Sequence, residues 1–204
     1  MKRIPPAVRR EMLLDAAFRV ISERGVSAAT TRAICAEADM PLASFHYVFE
    51  SQNELMRQLL HRVIDAAGNM ERVPEFTEDL RENVELMLLH ALDWAIENRG
   101  EDLAYYELGN FALRTPGFED LARYRLDQAL EVITRAFHLL EAIHGSNMVR
   151  DKREVAWMAL TFIEGIGLMF LNSGDAEMAR RAVKGYAGFL VDFAQGRAGG
   201  PVQS

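Results

Sequence analysis

Apolar residues recur at helical spacing along almost the whole chain, and no segment sustains the apolar–polar alternation of a half-buried strand. The clearest case is the helix predicted over residues 8–24, which ends before Gly25. Its core-facing side chains are Leu13, Ala16, Ala17, Val20 and Ile21. The pattern therefore predicts an all-α protein with about nine helices.

Local signals place the other helix starts. Thr30 and Thr31 can cap a short helix that runs to about Ala38, and a second short helix covers about 42–48. Ser51 and Glu54 have the spacing of a capping box, in which each side chain accepts a bond from a free N–H of the first turn. The later helices are predicted over about 77–100, 102–113, 116–143, 151–171 and 175–194, the third of these with Thr115-Pro116 as its start.

The most apolar stretch runs from Val155 to Leu171 and is interrupted by Glu164 and two glycines. It is shorter than the roughly 20 apolar residues of a spanning helix and carries a carboxylate at its middle. We therefore expect a buried helix here and no membrane partner. The N-terminus lacks the uninterrupted apolar run of a signal peptide, and one cysteine, Cys35, excludes a disulfide framework, so we expect a cytoplasmic protein.

Charge is distributed unevenly. The whole chain has a net charge of −7, but residues 1–62 hold nine Lys/Arg against seven Asp/Glu. The remainder therefore carries −9. A positive end on an acidic body is typical of a protein that meets a polyanion. The five histidines lack metal-ligand spacing, and no phosphate loop, nucleophile elbow or carboxylate pair is found, so we expect no metal, no cofactor and no enzyme activity.

Residues 30–49 carry the most information. Two short helices separated by a turn, with Ile34 and Phe45 placed to close the corner, are typical of a helix-turn-helix. The second helix would enter the major groove, where a side chain such as Ser44 can bond a base or a phosphate and Tyr47 a phosphate. Two short packed helices without DNA binding remain the alternative. The predicted DNA-binding residues are Thr31, Arg32, Leu42, Ala43, Ser44, His46, Tyr47 and Gln52.

Residues 10–55 resemble the DNA-binding domain of TetR-family transcriptional regulators. The resemblance rests on the following residues, in the family's spacing and without a gap: Ala16-Ala17, Gly25, Thr30-Thr31-Arg32, Ile34, Ala38, Phe45-His46-Tyr47, Phe49, Ser51 and Leu55. Two later stretches, Tyr106–Gly117 and Ile163–Gly165, are similar to the ligand-binding domains of many actinobacterial members. The resemblance implies a homodimer that binds a pseudo-palindromic operator.

Three positions depart from the family pattern. Asp39 replaces the turn glycine, His46 replaces the more usual tyrosine, and Gln52 replaces a lysine that contacts phosphate. Asp visits the left-handed conformation less easily than Gly. Gln can still hydrogen-bond a phosphate, but it brings no charge. These departures bear on DNA affinity.

Polar residues on mainly apolar helices are the best indication of an effector cavity, because buried polar groups need partners. We expect a pocket between the helices of about 78–98, 102–113, 116–143 and 151–171, for an apolar effector that could be aromatic or cationic. The predicted ligand-binding residues are His90, Trp94, Glu107, Asn110, Phe111, Phe118, Tyr124, Phe162 and Glu164.

The sequence as a whole predicts a dimeric, ligand-responsive repressor. Residues 1–50 would form the DNA-binding domain, and residues 51–204 would form the effector-binding and dimerisation domain, with the dimer formed through the last two helices. Two alternatives remain open: a DNA-binding regulator without a small-molecule effector, and a helical interaction protein that has lost DNA binding.

Overall fold

The computed structural model describes residues 4–68, 76–145 and 148–199, and these contain nine α-helices and no strand. The fold class predicted from the pattern is confirmed. A 3₁₀ turn at Val26–Ala28, which the pattern did not predict, follows the first helix. The helices are α1 (Pro6–Arg24), α2 (Thr31–Glu37), α3 (Leu42–Val48), α4 (Gln52–Gly68), α5 (Leu80–Glu97), α6 (Arg99–Arg114), α7 (Glu119–His144), α8 (Lys152–Ser173) and α9 (Ala176–Ala194).

The predicted helix caps are present. The Thr30 hydroxyl accepts a bond from the N–H of Ala33 at 3.2 Å. At the start of α4, the Ser51 hydroxyl accepts from the N–H of Glu54 at 3.1 Å. The Glu54 carboxylate accepts from the N–H of Glu50 at 2.7 Å, one residue before the expected donor. The side chains of Thr30, Ser51 and Glu54 thus bond N–H groups at the starts of α2 and α4 that have no partner within the helix.

The predicted start of α7 at Thr115-Pro116 is wrong. Pro116 lies in a turn in which the Phe118 N–H bonds the Thr115 carbonyl at 3.1 Å. Gly117 has φ +85°, which an α-helix cannot continue. Proline followed by a glycine of positive φ is typical of a tight turn, so the helix begins only at Glu119.

The chain forms two compact units. The first comprises residues 1–67 and 100–125, and the second comprises residues 68–99 and 126–204. In the first unit, buried α6 residues such as Leu108 belong to the same apolar core as Leu13, Ile34 and Phe45. In the second unit, α5 packs against α8 and α9. The functional division at residue 50 stays a prediction.

Helix α8 is buried on one face only. Val155, Ala156 and Ala159 are fully buried, whereas Trp157 is 52% exposed and Leu168 51% exposed. By length and hydropathy alone α8 could cross a membrane, a test that core helices of soluble proteins also pass. The prediction of a buried helix therefore holds for one side of α8, and the other side presents apolar residues outward.

Candidate nucleic-acid interface

The two short helices α2 and α3 meet at a buried corner. Ile34 of α2 and Phe45 of α3 are both at most 1% exposed, as the sequence predicts. The chain leaves α2 through a Schellman turn, in which the N–H of Met40 bonds the Cys35 carbonyl and the N–H of Asp39 bonds the Ala36 carbonyl. Asp39 occupies the left-handed position of this turn, with φ +51°. This aspartate therefore takes the conformation that the usual glycine would take.

One face of α3 points away from the core. His46 and Ala43 are exposed, Leu42 is 40% exposed, Tyr47 is 56% exposed, and Ser44 is half-buried. On α2, Arg32 is exposed and Thr31 is half-buried. The geometry therefore brings seven of the eight predicted DNA-binding residues to α2 and α3, with short, polar and basic side chains available to a partner.

Gln52, the eighth predicted residue, is engaged within the protein. Its side-chain N–H donates to the Ala29 carbonyl at 2.8 Å. This bond joins the start of α4 to the segment before α2. Sequence reasoning assigned Gln52 a phosphate contact, and the structure shows that one of its amide N–H groups already has a partner.

The orientation of α3 depends on Arg10, which the sequence analysis did not single out. The Arg10 guanidinium donates to Glu54 at 3.1 Å, to Gln58 at 3.0 Å and to the carbonyl of Val48. It also lies over the ring of Phe49, 4.6 Å from the ring centroid. One side chain of α1 thus holds the C-terminal end of α3 and the first turns of α4. We call these contacts the Arg10 network.

The carboxylate of Glu54 is held in its charged form by this arrangement. The bond from the Glu50 N–H, followed by the bond and charge of Arg10, lowers the pKa of the Glu54 carboxyl below its ordinary value. Cys35 of α2 is a small buried residue of the core, 3% exposed, and this burial raises the pKa of its thiol.

Helix α6 contributes directly to the first unit. The Glu107 carboxylate accepts a bond from the N–H of Val26 at 2.6 Å, at the turn that connects α1 to α2. Gly25, with φ +82°, leaves room for this carboxylate, since a Cβ there would lie 3.0 Å from it. The sequence predicts Glu107 as a ligand contact, and the structure gives its carboxylate a partner in the helix-turn-helix region.

Comparison with known proteins agrees with this geometry. Residues 13–59 match the family model described as bacterial regulatory proteins, tetR family. A curated relative, the HTH-type nicotine-responsive transcriptional repressor HdnoR of Paenarthrobacter nicotinovorans, is 30% identical over 174 residues, which cover 82% of this chain and 86% of the relative. The chain belongs to the TetR family of transcriptional regulators.

Solved structures show the same fold. A transcriptional regulator from Rhodococcus sp. Rha1 superimposes with a TM-score of 0.73 at 17% identity, covering 91% of this chain and 97% of that one. The multidrug binding protein EbrR, complexed with imidazole, is 26% identical with a TM-score of 0.58 and covers 86% of this chain and 92% of its own. The family is a regulatory, DNA-binding one, and this TetR-family chain is a transcriptional regulator.

The other predicted ligand-binding residues fall in both units of the TetR-family chain. In the first unit, the Phe111 and Phe118 rings pack edge to face at 5.3 Å, and the Tyr124 hydroxyl donates to Asp65 at 2.7 Å. This bond raises the pKa of the Tyr124 hydroxyl. Asn110 is exposed and donates to the Tyr106 carbonyl. These side chains contact one another or other residues of the first unit.

In the second unit, Phe162 of α8 stacks on Tyr186 of α9 with ring centroids 4.0 Å apart. His90 and Glu164 are half-buried, and Trp94 is 38% exposed. A shallow depression of about 380 Å³ also lies in this unit, and none of the predicted ligand-binding residues lines it. Its lining residues are Asp151, Arg153, Glu154, Trp157, Met158 and Phe193. Ligand contact by the nine residues stays a prediction.

The left-handed turn yields the first prediction. Asp39→Val should lower the free energy of unfolding by about 1–2 kcal/mol, because a β-branched side chain is strained at φ +51°. Asp39→Gly, the matched control, should be at least as stable as the parent because glycine adopts this conformation without strain. Urea unfolding of the full chain measures both. A Val variant as stable as the parent would show that the turn bears no such strain.

Proposed function

We propose that this TetR-family regulator is a homodimeric repressor that binds a pseudo-palindromic operator and releases it when a small-molecule effector binds. The helix-turn-helix supports operator binding most directly. Its corner is closed by buried Ile34 and Phe45, while the outer face of α3 is left to a partner. A second helix presented in this way fits the major groove, and a two-fold dimer fits two half-sites.

The Tyr47 hydroxyl is the sharpest test of operator binding. Tyr47 is 56% exposed at the end of α3, where it can donate to a phosphate. Tyr47→Phe should weaken binding to the operator by about 10- to 100-fold, the effect of one hydrogen bond to a charged group. Titration of duplex DNA selected by the wild-type protein from a random pool measures the loss.

The selected duplex is compared with an unselected one, and melting temperatures show whether the variant is folded. The proposal expects wild-type affinity to fall steeply with salt as counterions are released. A folded wild-type dimer that selects no sequence would favour the alternative in which the chain has lost DNA binding.

The outward face of the second unit supports the dimer. Trp157 and Leu168 of α8 are eleven residues apart, which is close to three helical turns, so they share a face. Met178 and Phe189 of α9 are also 54% and 40% exposed. At Gly165 of α8 an added Cβ would meet nothing within 4 Å, so a second backbone has room to approach. An apolar face of this kind is stabilised by a two-fold copy of itself.

A charge in that face should disrupt the dimer. We expect Leu168→Glu to raise the dimer dissociation constant by about 100-fold or more, because an unpaired charge would be buried at the interface. Leu113→Glu, at a 71% exposed position on α6, makes the same change in charge outside the face and should leave the dimer intact. Sedimentation equilibrium at micromolar concentration measures both variants. A monomeric wild-type protein would contradict the proposal.

The effector part of the proposal is supported by two relatives and by predicted ligand-binding residues of the second unit. HdnoR is nicotine-responsive by its name, and EbrR is a multidrug binding protein. We infer that the effector of this chain is a compact aromatic compound that contains basic nitrogen. His90 and Trp94 of α5 and Glu164 of α8 offer an aromatic surface and polar groups suited to such a compound. Glu107 belongs to the first unit, where its carboxylate accepts a hydrogen bond from the Val26 N–H.

A panel of heteroaromatic amines tests this class. At least one, with nicotine and imidazole among those tried, should raise the melting temperature and lower affinity for the selected duplex. A ligand at 100 times its dissociation constant stabilises the folded state by about 2.7 kcal/mol. Analogues without the nitrogen are the control, and Trp94→Ala should remove the response. If no amine alters either quantity, a regulator without a small-molecule effector becomes the better account.

A further inference from the structure

Most arginines of the described segment 4–68, which contains the helix-turn-helix, form ion pairs within the protein. The described segment 4–68 contains seven arginines, and five have a carboxylate within 4 Å. Arg10 pairs with Glu54, and Arg62 pairs with Glu11 and Asp15. The other paired arginines are Arg19, Arg24 and Arg57. Within this segment the guanidinium groups without an ion pair are therefore those of Arg9 and Arg32.

These two groups belong to the first turns of α1 and α2. Arg32 was expected at the interface from the sequence. Arg9 was not, but its guanidinium carbon lies 5.1 Å from the ring centroid of Tyr47, on the exposed face of α3. Among the described residues, Arg9 also donates a long hydrogen bond of 3.4 Å to the Ile4 carbonyl. Arg9 thus lies against the recognition helix, and these contacts occupy few of its five N–H donors.

The Tyr47 ring explains how the flexible Arg9 side chain is kept beside α3. A guanidinium that stacks on an aromatic face keeps its donors in the plane parallel to the ring, so they remain able to bond a third group. Phosphate is a suitable third group, because its oxygens match the planar fork of arginine. Gln52 cannot supply this charge, and one of its N–H groups is bonded to Ala29.

We propose that Arg9 and Tyr47 form a phosphate-binding pair, in which Arg9 supplies the positive charge that Gln52 lacks. The pair binds the DNA backbone beside the recognition helix and carries no sequence preference of its own. This inference rests on the proposed operator binding and adds a contact from α1 to it.

Arg9→Ala tests the pair through the salt dependence of binding. The affinity of the Arg9→Ala variant for the selected duplex should fall by about 10-fold or more. Its affinity for a random duplex of the same length should fall by a similar factor. The slope of log affinity against log salt concentration should decrease by about one for each protomer bound, since one phosphate contact per protomer is lost. Arg9→Lys should keep the slope, because the charge remains, while losing part of the affinity.

The matched control is Arg135→Ala on α7, an exposed arginine of the acidic second unit, which changes the net charge by the same amount. It should leave the slope unchanged. Melting temperatures confirm that each variant is folded. An Arg9→Ala protein with wild-type affinity and slope would overturn the pair, and so would an Arg9→Lys protein whose slope falls as far as that of Arg9→Ala. A wild-type protein that selects no duplex would instead refute the proposed function itself.

Discussion

The Arg10 network is the interaction on which the presentation of the recognition helix depends. Helix α3 has only seven residues, too few to be stable as an isolated helix. Its buried Phe45 fixes one side, and the Arg10 guanidinium fixes its C-terminal end by binding the Val48 carbonyl together with Glu54 and Gln58 of α4. Because one planar group serves α1, α3 and α4, these helices are oriented together, and the outer face of α3 remains available.

Ion pairing of arginines with carboxylates also explains how a protein with a net charge of −7 can present a DNA-binding surface. Carboxylates pair with five of the seven arginines of the described segment 4–68 and leave two guanidinium groups without an ion pair. Arg9 and Arg32 are those groups in the described segment 4–68, and the ring of Tyr47 holds the first of them in place. In the proposed DNA complex, a few positioned donors would bind phosphate at short range, in place of long-range attraction by net charge.

Helix positions, caps and the corner of the helix-turn-helix could be predicted from the sequence, because they depend on local spacing and on one buried face. Local signals failed at Pro116, where the positive φ of the following Gly117 makes a turn out of a plausible helix start. The side-chain partners could not be predicted for a different reason. Glu107 bonds the N–H of Val26, and Gln52 bonds the carbonyl of Ala29. Both bonds join residues that are far apart in the chain, so local spacing cannot predict them.

Arg9 and Arg10 illustrate the limit most clearly. They are identical neighbours in the sequence, yet one binds Glu54 within the protein and the other stacks on the exposed ring of Tyr47. Adjacent residues of a helix point about 100° apart, so only the placement of α3 and α4 decides which arginine is neutralised. The TetR-family resemblance predicted the helix-turn-helix fold, which is confirmed, but could not distinguish these two side chains.

A footprint of the protein on duplex DNA recovered from genomic fragments tests the central claim most directly. The account predicts two protected half-sites related by a pseudo-two-fold axis, with contacts in successive major grooves on one face of the duplex. It also predicts that hydroxyl-radical protection of the backbone beside each half-site is lost in Arg9→Ala, while the rest of the footprint stays. Recovery of no specific fragment by the folded protein, or a single protected site without symmetry, would contradict the account.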